Sequence, residues 1–228
     1  MLKRSLFFLF LLIAISTQAQ VNMQVHYDFG KDREYIWSRL EMYKADKWGD
    51  THYFVDYDYD MGSNKYPSGT YMEIARTLKF WDGPLSAQIE YDGGFGSAKD
   101  ASYAYPINSC WLGGLNYSFH NSGFTKTLNL ELLYKHIAGK QESAQFTTVW
   151  GLQLLHHKLS VSGFADFWFE NNTNSNLSKT STVFISQPQL WYNFTEHFSA
   201  GSQVEFSNNY AGTEGFRVRP TLGIKWDF

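Results

Sequence analysis

The residues from Phe216 to Phe228 alternate in character. Phe216, Val218, Leu222, Ile224, Trp226 and Phe228 fall on one face, and Arg217, Arg219, Thr221, Lys225 and Asp227 on the other. Successive side chains of a strand point to opposite sides of a sheet, so this segment has one greasy face and one charged face. A soluble sandwich would bury the greasy face in a core. An outer-membrane barrel turns that face to lipid and leaves the charged one to an aqueous lumen. Which of these two environments holds decides the class of function open to the chain.

The N-terminus favours the barrel. Lys3 and Arg4 precede an apolar run from Leu6 to Ile15, followed by Ser16, Thr17, Gln18 and Ala19, the pattern of a secretory signal cut after Ala19. That run is too short to span as a helix. The expected organisation is a signal peptide over 1–19 and one barrel over 20–228. No long apolar stretch follows Ile15, yet aromatics make up 18% of residues at a mean hydropathy of −0.37. A barrel needs only every second residue apolar, with aromatic girdles at the two interfaces, so it reconciles those values. Removing Lys3 and Arg4 lowers the 19 basic residues to 17 against 22 acidic ones, a net charge of −5. Such a chain lacks the basic footprint that nucleic acid requires. The lone Cys110 excludes an intrachain disulfide framework.

Period-two reading between turn signals predicts an all-β, antiparallel transmembrane β-barrel of twelve strands. They run near 21–29, 36–46, 51–60, 70–81, 84–93, 108–119, 127–138, 145–155, 159–170, 181–193, 198–207 and 215–228. Leu128, Leu130, Leu132 and Tyr134, for example, oppose Asn129, Glu131 and Lys135. Connections after even strands are mostly compact, and the longer polar ones follow odd strands, as in barrels with short periplasmic turns and long outside loops. His120 to Lys126 and Gly139 to Ser143 run against that trend. Pro188 and Pro220 fall inside strands, where each removes a ladder donor and predicts a bulge.

Strand number sets bore: eight strands are filled by their own side chains and sixteen leave an open channel, so twelve predict a narrow lumen. Parity turns Arg39, Glu41, Asp56, Asp58, Glu73, Glu90, Asp92, Glu131, Lys135, Asp166, Glu170, Glu205, Arg217, Arg219, Lys225 and Asp227 inward. Charges of both signs in a confined bore can pair across it and leave a constriction with defined donors and acceptors.

Trp48-Gly49-Asp50, Tyr53-Phe54-Val55-Asp56-Tyr57-Asp58 and Tyr71-Met72-Glu73-Ile74-Ala75-Arg76, in that order, resemble segments of the nucleoside-specific channel-forming (Tsx-like) outer-membrane porins. Ser162 to Trp168 and the C-terminal strand resemble later strands of the same group. The resemblance implies a twelve-stranded barrel that passes nucleosides by diffusion through a narrow lumen lined with aromatic and ionisable residues, and the expectation is of no enzyme, cofactor or metal. Carried over by position, Asp56, Glu73 and Arg76 are the first candidates for lumen and solute contact. Asp58, Glu90, Asp166, Arg217, Arg219 and the stacking face of Trp168 complete the set. Ala75 stands where that group has proline, several outside loops are trimmed, and Arg76 has the opposite parity from Glu73. Either a bulge turns Arg76 inward or it faces lipid, which near midplane costs about 2 to 4 kcal/mol.

Two other classes compete. His120 and Ser122 have the spacing of a lipid hydrolase pair, because i and i+2 share a strand face. Asn121-Ser122-Gly123 is also ordinary turn composition. A non-conducting structural or adhesive barrel is the other alternative, with the Asn171 to Asn176 run as a surface contact. His156-His157 lacks a third ligand, and Gly93-Gly94-Phe95-Gly96 lacks a following helix, so neither marks a metal or phosphate site. Expected partners are a small solute, outer-membrane lipid and the barrel-assembly machinery, engaged through the strand ending on Phe228.

Overall fold

A computed structural model describes residues 19–59, 67–97, 103–172 and 179–228. The signal-peptide expectation over 1–18 and most of the Asn171 to Asn176 surface run lie outside them. The chain forms a closed antiparallel barrel of twelve strands. In order these are β1 Gln20–Asp28, β2 Ile36–Asp46, β3 Gly49–Tyr59, β4 Pro67–Leu78, β5 Leu85–Ser97, β6 Ala104–His120, β7 Lys126–Ile137, β8 Ser143–Leu154, β9 Leu159–Asn172, β10 in two segments, Lys179–Ser186 and Gln189–Asn193, β11 Phe198–Asn208 and β12 Phe216–Asp227. Each strand pairs with its sequence neighbour, and β1 closes on β12 with Val25 opposite Ile224. Closure leaves no free edge, the one way a sheet satisfies its backbone in hydrocarbon.

The barrel is inside out relative to a soluble sandwich. Among the described residues 23 buried side chains are polar or charged and 11 are hydrophobic, whereas Val25, Leu40, Ile74, Ile89, Leu115, Leu132, Leu222 and Ile224 are exposed. Those exposed aliphatics form the lipid-facing band. Aromatics flank it at both ends: Trp48, Phe80, Trp81, Phe194 and Trp226 near the turns that follow even strands, and Phe29, Tyr134, Phe169 and Phe216 at the other. Gln20, at the start of β1, and Phe228, after β12, lie on the side of the even-strand turns, which by the barrel rule is periplasmic.

Neither proline produces the bulge that sequence predicts. Pro188 breaks β10 into its two segments, yet the register with β9 runs through unchanged, from Ser186 opposite Ala165 to Gln189 opposite Ser162. At Pro220 the register with β11 is likewise unbroken, and the Thr221 hydroxyl takes over ladder work, accepting from the Gln203 N–H at 3.1 Å and donating to the Gln203 carbonyl at 3.0 Å. The register shifts fall elsewhere, between Asp58 and Tyr59 against β4 and between Asp92 and Gly94 against β6. His156 and His157 form a tight turn with left-handed φ of 55° and 66°.

Candidate functional site: the lumen

Inward parity delivers two unlike walls. On β1 to β3 Arg39 and Glu41 are each paired, with Asp56 and His52. Arg39 donates from Nε and Nη2 to the two Asp56 carboxylate oxygens, both at 2.7 Å, while its guanidinium lies 4.1 Å over Phe54. A fork matched to a carboxylate is the strongest pairing geometry available to arginine. Glu41 binds His52 at 3.0 Å and accepts from Gln24 at 3.0 Å. His26 stacks flat on Trp37 at 4.1 Å between centroids, and Gly223 opposite it leaves room for the ring, since a Cβ there would lie 2.6 Å from His26 Nδ1.

The wall from β4 to β9 is acidic, and neutral groups hold it. Tyr71 donates its hydroxyl to Glu73 at 2.8 Å, Gln88 donates to Glu131 at 2.8 Å and Glu90 at 3.1 Å, Asn116 donates to Glu131 at 3.1 Å, and Thr147 donates to Asp166 at 2.7 Å. Among the described residues no ion pair reaches Glu73, Glu90, Asp92, Glu131 or Asp166. Lys135, the cation on this side, donates instead to Gln145 at 2.6 Å and lies 4.2 Å over Trp168. The two walls therefore impose a transverse field on anything between them.

A vestibule of about 1620 Å³ opens at the periplasmic turns, and a narrower cavity of about 340 Å³ lies deeper. They share Asn22, Glu41, Asp50, Thr77, Asn129 and Lys225, so one leads into the other. Arg39, His52, Phe54, Glu73, Glu90 and Trp191 line the inner cavity. Towards the outside, apolar side chains gather on the wall in two clusters. Cys110, Leu112 and Leu133 form one apolar knot, and Trp168, Val183 and Ile185 another, against which Tyr210 packs edge-on to Trp168.

At the outer end the connection 29–35 turns Asp32, Arg33 and Tyr35 towards the bore, while Phe29 stays on the lipid side. Arg33 reaches Asp28 at 3.2 Å and Glu205 at 3.1 Å, while Arg219 reaches Glu205 at 2.5 Å and Asp32 at 2.6 Å. Glu205 is thereby shared by two guanidiniums. The hydrogen bond from Arg219 pulls the Asp32 carboxyl down to about 2, and burial pushes the Tyr35 hydroxyl up. Sequence pattern did not find this inward fold, although Lys31-Asp32-Arg33-Glu34 is a dense charge run for a short connection.

The candidates named from sequence distribute as follows. Asp56, Glu73, Glu90 and Asp166 come together around the inner cavity, Asp56 through Arg39. Trp168 and Arg219 are buried farther out, and the Asp58 carboxylate sits at the β3–β4 register shift, against Gly69. Two candidates do not join them. Arg76 keeps the parity opposite to Glu73, Ala75 and Thr77, and it bonds Thr51 at 3.0 Å and Asp46 at 2.9 Å. No bulge turns it, and the partner at the turn end lets its charge sit at the interface and not at midplane. Arg217 is exposed at the outer rim, donating to the Phe216 carbonyl at 3.1 Å. His52 was missed, though its alternation with Asp50, Phe54 and Asp56 marks it as inward. His120 stacks on Phe124 and bonds the Asn121 carbonyl at 3.1 Å within the turn that contains Ser122.

The fold is that of small outer-membrane porins. The NanC porin superposes with a TM-score of 0.60 at 9% identity, covering 91% of this chain and all of that one (100%). The KdgM porin in complex with disordered oligogalacturonate gives 0.51 at 11% identity, covering 92% and 99%. With the lipid-facing band, this fold places the protein in an outer membrane. No curated protein matches the sequence. Residues 19–228 match the family model described as a domain of unknown function, DUF5020, and the chain belongs to that family.

Proposed function

We propose that the protein is a narrow channel for passive, partly selective diffusion of small polar solutes, with uncharged or cationic ring compounds such as nucleosides as the favoured class. The observation that carries this is the inner cavity, where an acidic wall faces a paired, aromatic-bearing one. A cavity of about 340 Å³ lies at the small end of ligand pockets, roughly 300 to 1,000 Å³. Phe54 and Trp191 line the cavity from within the wall, each with a cation over its ring, Arg39 and Lys225. Amides and carboxylates on the same walls match the edges of a base and the hydroxyls of a sugar. The KdgM comparison structure holds oligogalacturonate, a polyanion. Here the unpaired carboxylates of β4 to β9 oppose such a cargo.

Liposome swelling with purified protein tests the reading. Adenosine is expected to enter faster than a neutral sugar of equal size, and both faster than a uronate. Equal rates for adenosine and the sugar would leave only a general pore, and no swelling with any solute would remove the channel itself.

A further inference from the structure

Glu73 and Asp92 stand directly opposite each other on β4 and β5, and Glu90 lies two residues before Asp92 on the same face. Like charges directly opposite on neighbouring strands are destabilising. The three carboxylates nonetheless each bring an oxygen within 4.8 Å of the others. The donors that orient them are a phenol and an amide, Tyr71 to Glu73 and Gln88 to Glu90, which add no positive charge. Asp92 is 6% exposed, and its Oδ1 has no hydrogen-bond partner at all. An orphaned, buried carboxylate oxygen is destabilising unless something satisfies it.

We infer that Glu73, Glu90 and Asp92 bind a divalent cation, of the calcium class, on the lumen wall. Calcium takes six to eight oxygens at about 2.3 to 2.6 Å, so oxygens across its sphere lie about 4.6 to 5.2 Å apart. Three oxygens within 4.8 Å fit one such sphere. Water in the lumen supplies the remaining positions, which suits the loose coordination of calcium better than the strict octahedron of magnesium. The other local cations are committed elsewhere, Arg39 to Asp56 and Lys135 to Gln145. The register shift at Asp92 against β6 leaves its pairing with Glu73 intact, so the two carboxylates stay opposed. Glu73 and Glu90 also line the inner cavity, so the cation sits beside the proposed solute path, and terbium binding reads it apart from solute flux.

The test uses the whole barrel, refolded in detergent and stripped with EDTA. Terbium is the probe: excited through Tyr71 and the lumen tryptophans, its emission is expected to rise on binding and to be displaced by calcium with an affinity on the order of 10⁻⁴ to 10⁻³ M, as in weak extracellular sites. Asp92→Asn and Glu73→Gln are expected to weaken both effects at least tenfold, and Glu142→Gln, in the connection 138–142 at the outer end, to change neither. Heat-shifted migration in detergent gels confirms that each variant is folded. Should either fail to fold, Glu90→Gln carries the same test. Absence of sensitised emission in the stripped barrel overturns the inference, as does emission that persists in folded Asp92→Asn.

Discussion

The Arg39–Asp56 fork allows a sharp test of how much a lumen ion pair stabilises a barrel. Arg39 is 5% exposed at its side chain and Asp56 21%. Removing one partner of a fully buried pair costs about 3 to 5 kcal/mol, because the other charge is stranded. Asp56 keeps about a fifth of its exposure, so water recovers part of that loss, and the expected cost of Arg39→Met falls nearer 2 to 3 kcal/mol. Loss of the contact over Phe54 at 4.1 Å adds about 0.5 to 1 kcal/mol. The sum, about 3 kcal/mol, is a hundredfold change in the folding equilibrium. Urea titration in lipid vesicles, run on Arg39→Met, Asp56→Leu and the double variant, isolates the coupling. We expect about 2 kcal/mol or more of coupling, with the double variant more stable than Arg39→Met alone. Coupling below about 0.5 kcal/mol, the value of an exposed pair, would refute the claim that the lumen wall behaves as protein interior.

Three further outcomes follow from the same structure. Gly223→Ala puts a Cβ 2.6 Å from His26 Nδ1, so the imidazole must leave Trp37; we expect a loss of about 1 to 3 kcal/mol and altered tryptophan emission, and unchanged emission would contradict the stacking. Asp32, held near 2 by Arg219 instead of the usual 3.8, contributes stability that is complete above about pH 4 and lost as pH falls through 2, so its hold on residues 29–35 should weaken in that window, read by pepsin cleavage beside Tyr35, and equal cleavage of wild type and Asp32→Asn at pH 4 would exclude the pair as a tether. Arg76→Gln should leave conductance and ion selectivity unchanged and shift stability by less than about 1 kcal/mol, and a selectivity change in planar bilayers would return Arg76 to the lumen.

Strand number, both faces of most strands and the two-sided connections were legible because they rest on local rules: a period of two and turn composition. Phe216 to Phe228 shows its faces without any knowledge of its neighbours. What was not legible depends on register. That Glu73 meets Asp92 requires knowing how β4 slides against β5, and sequence placed both inward without bringing them together. The prolines misled for a related reason: the register holds through each of them, and at Pro220 the carbonyl still accepts from the Phe29 N–H on the β1 side. The mouth residues 29–35 escaped because a connection has no periodicity to read; their placement is decided by the buried partners Asp28, Glu205 and Arg219, one of them 187 residues away from Asp32.

Pro188 and Pro220 flank β11 at one height: Val204 donates to the Pro188 carbonyl at 3.0 Å on one side and faces Pro220 on the other. Two missing amides at a single level thin the hoop of the cylinder there, leaving hydroxyls and packing to carry circumferential tension.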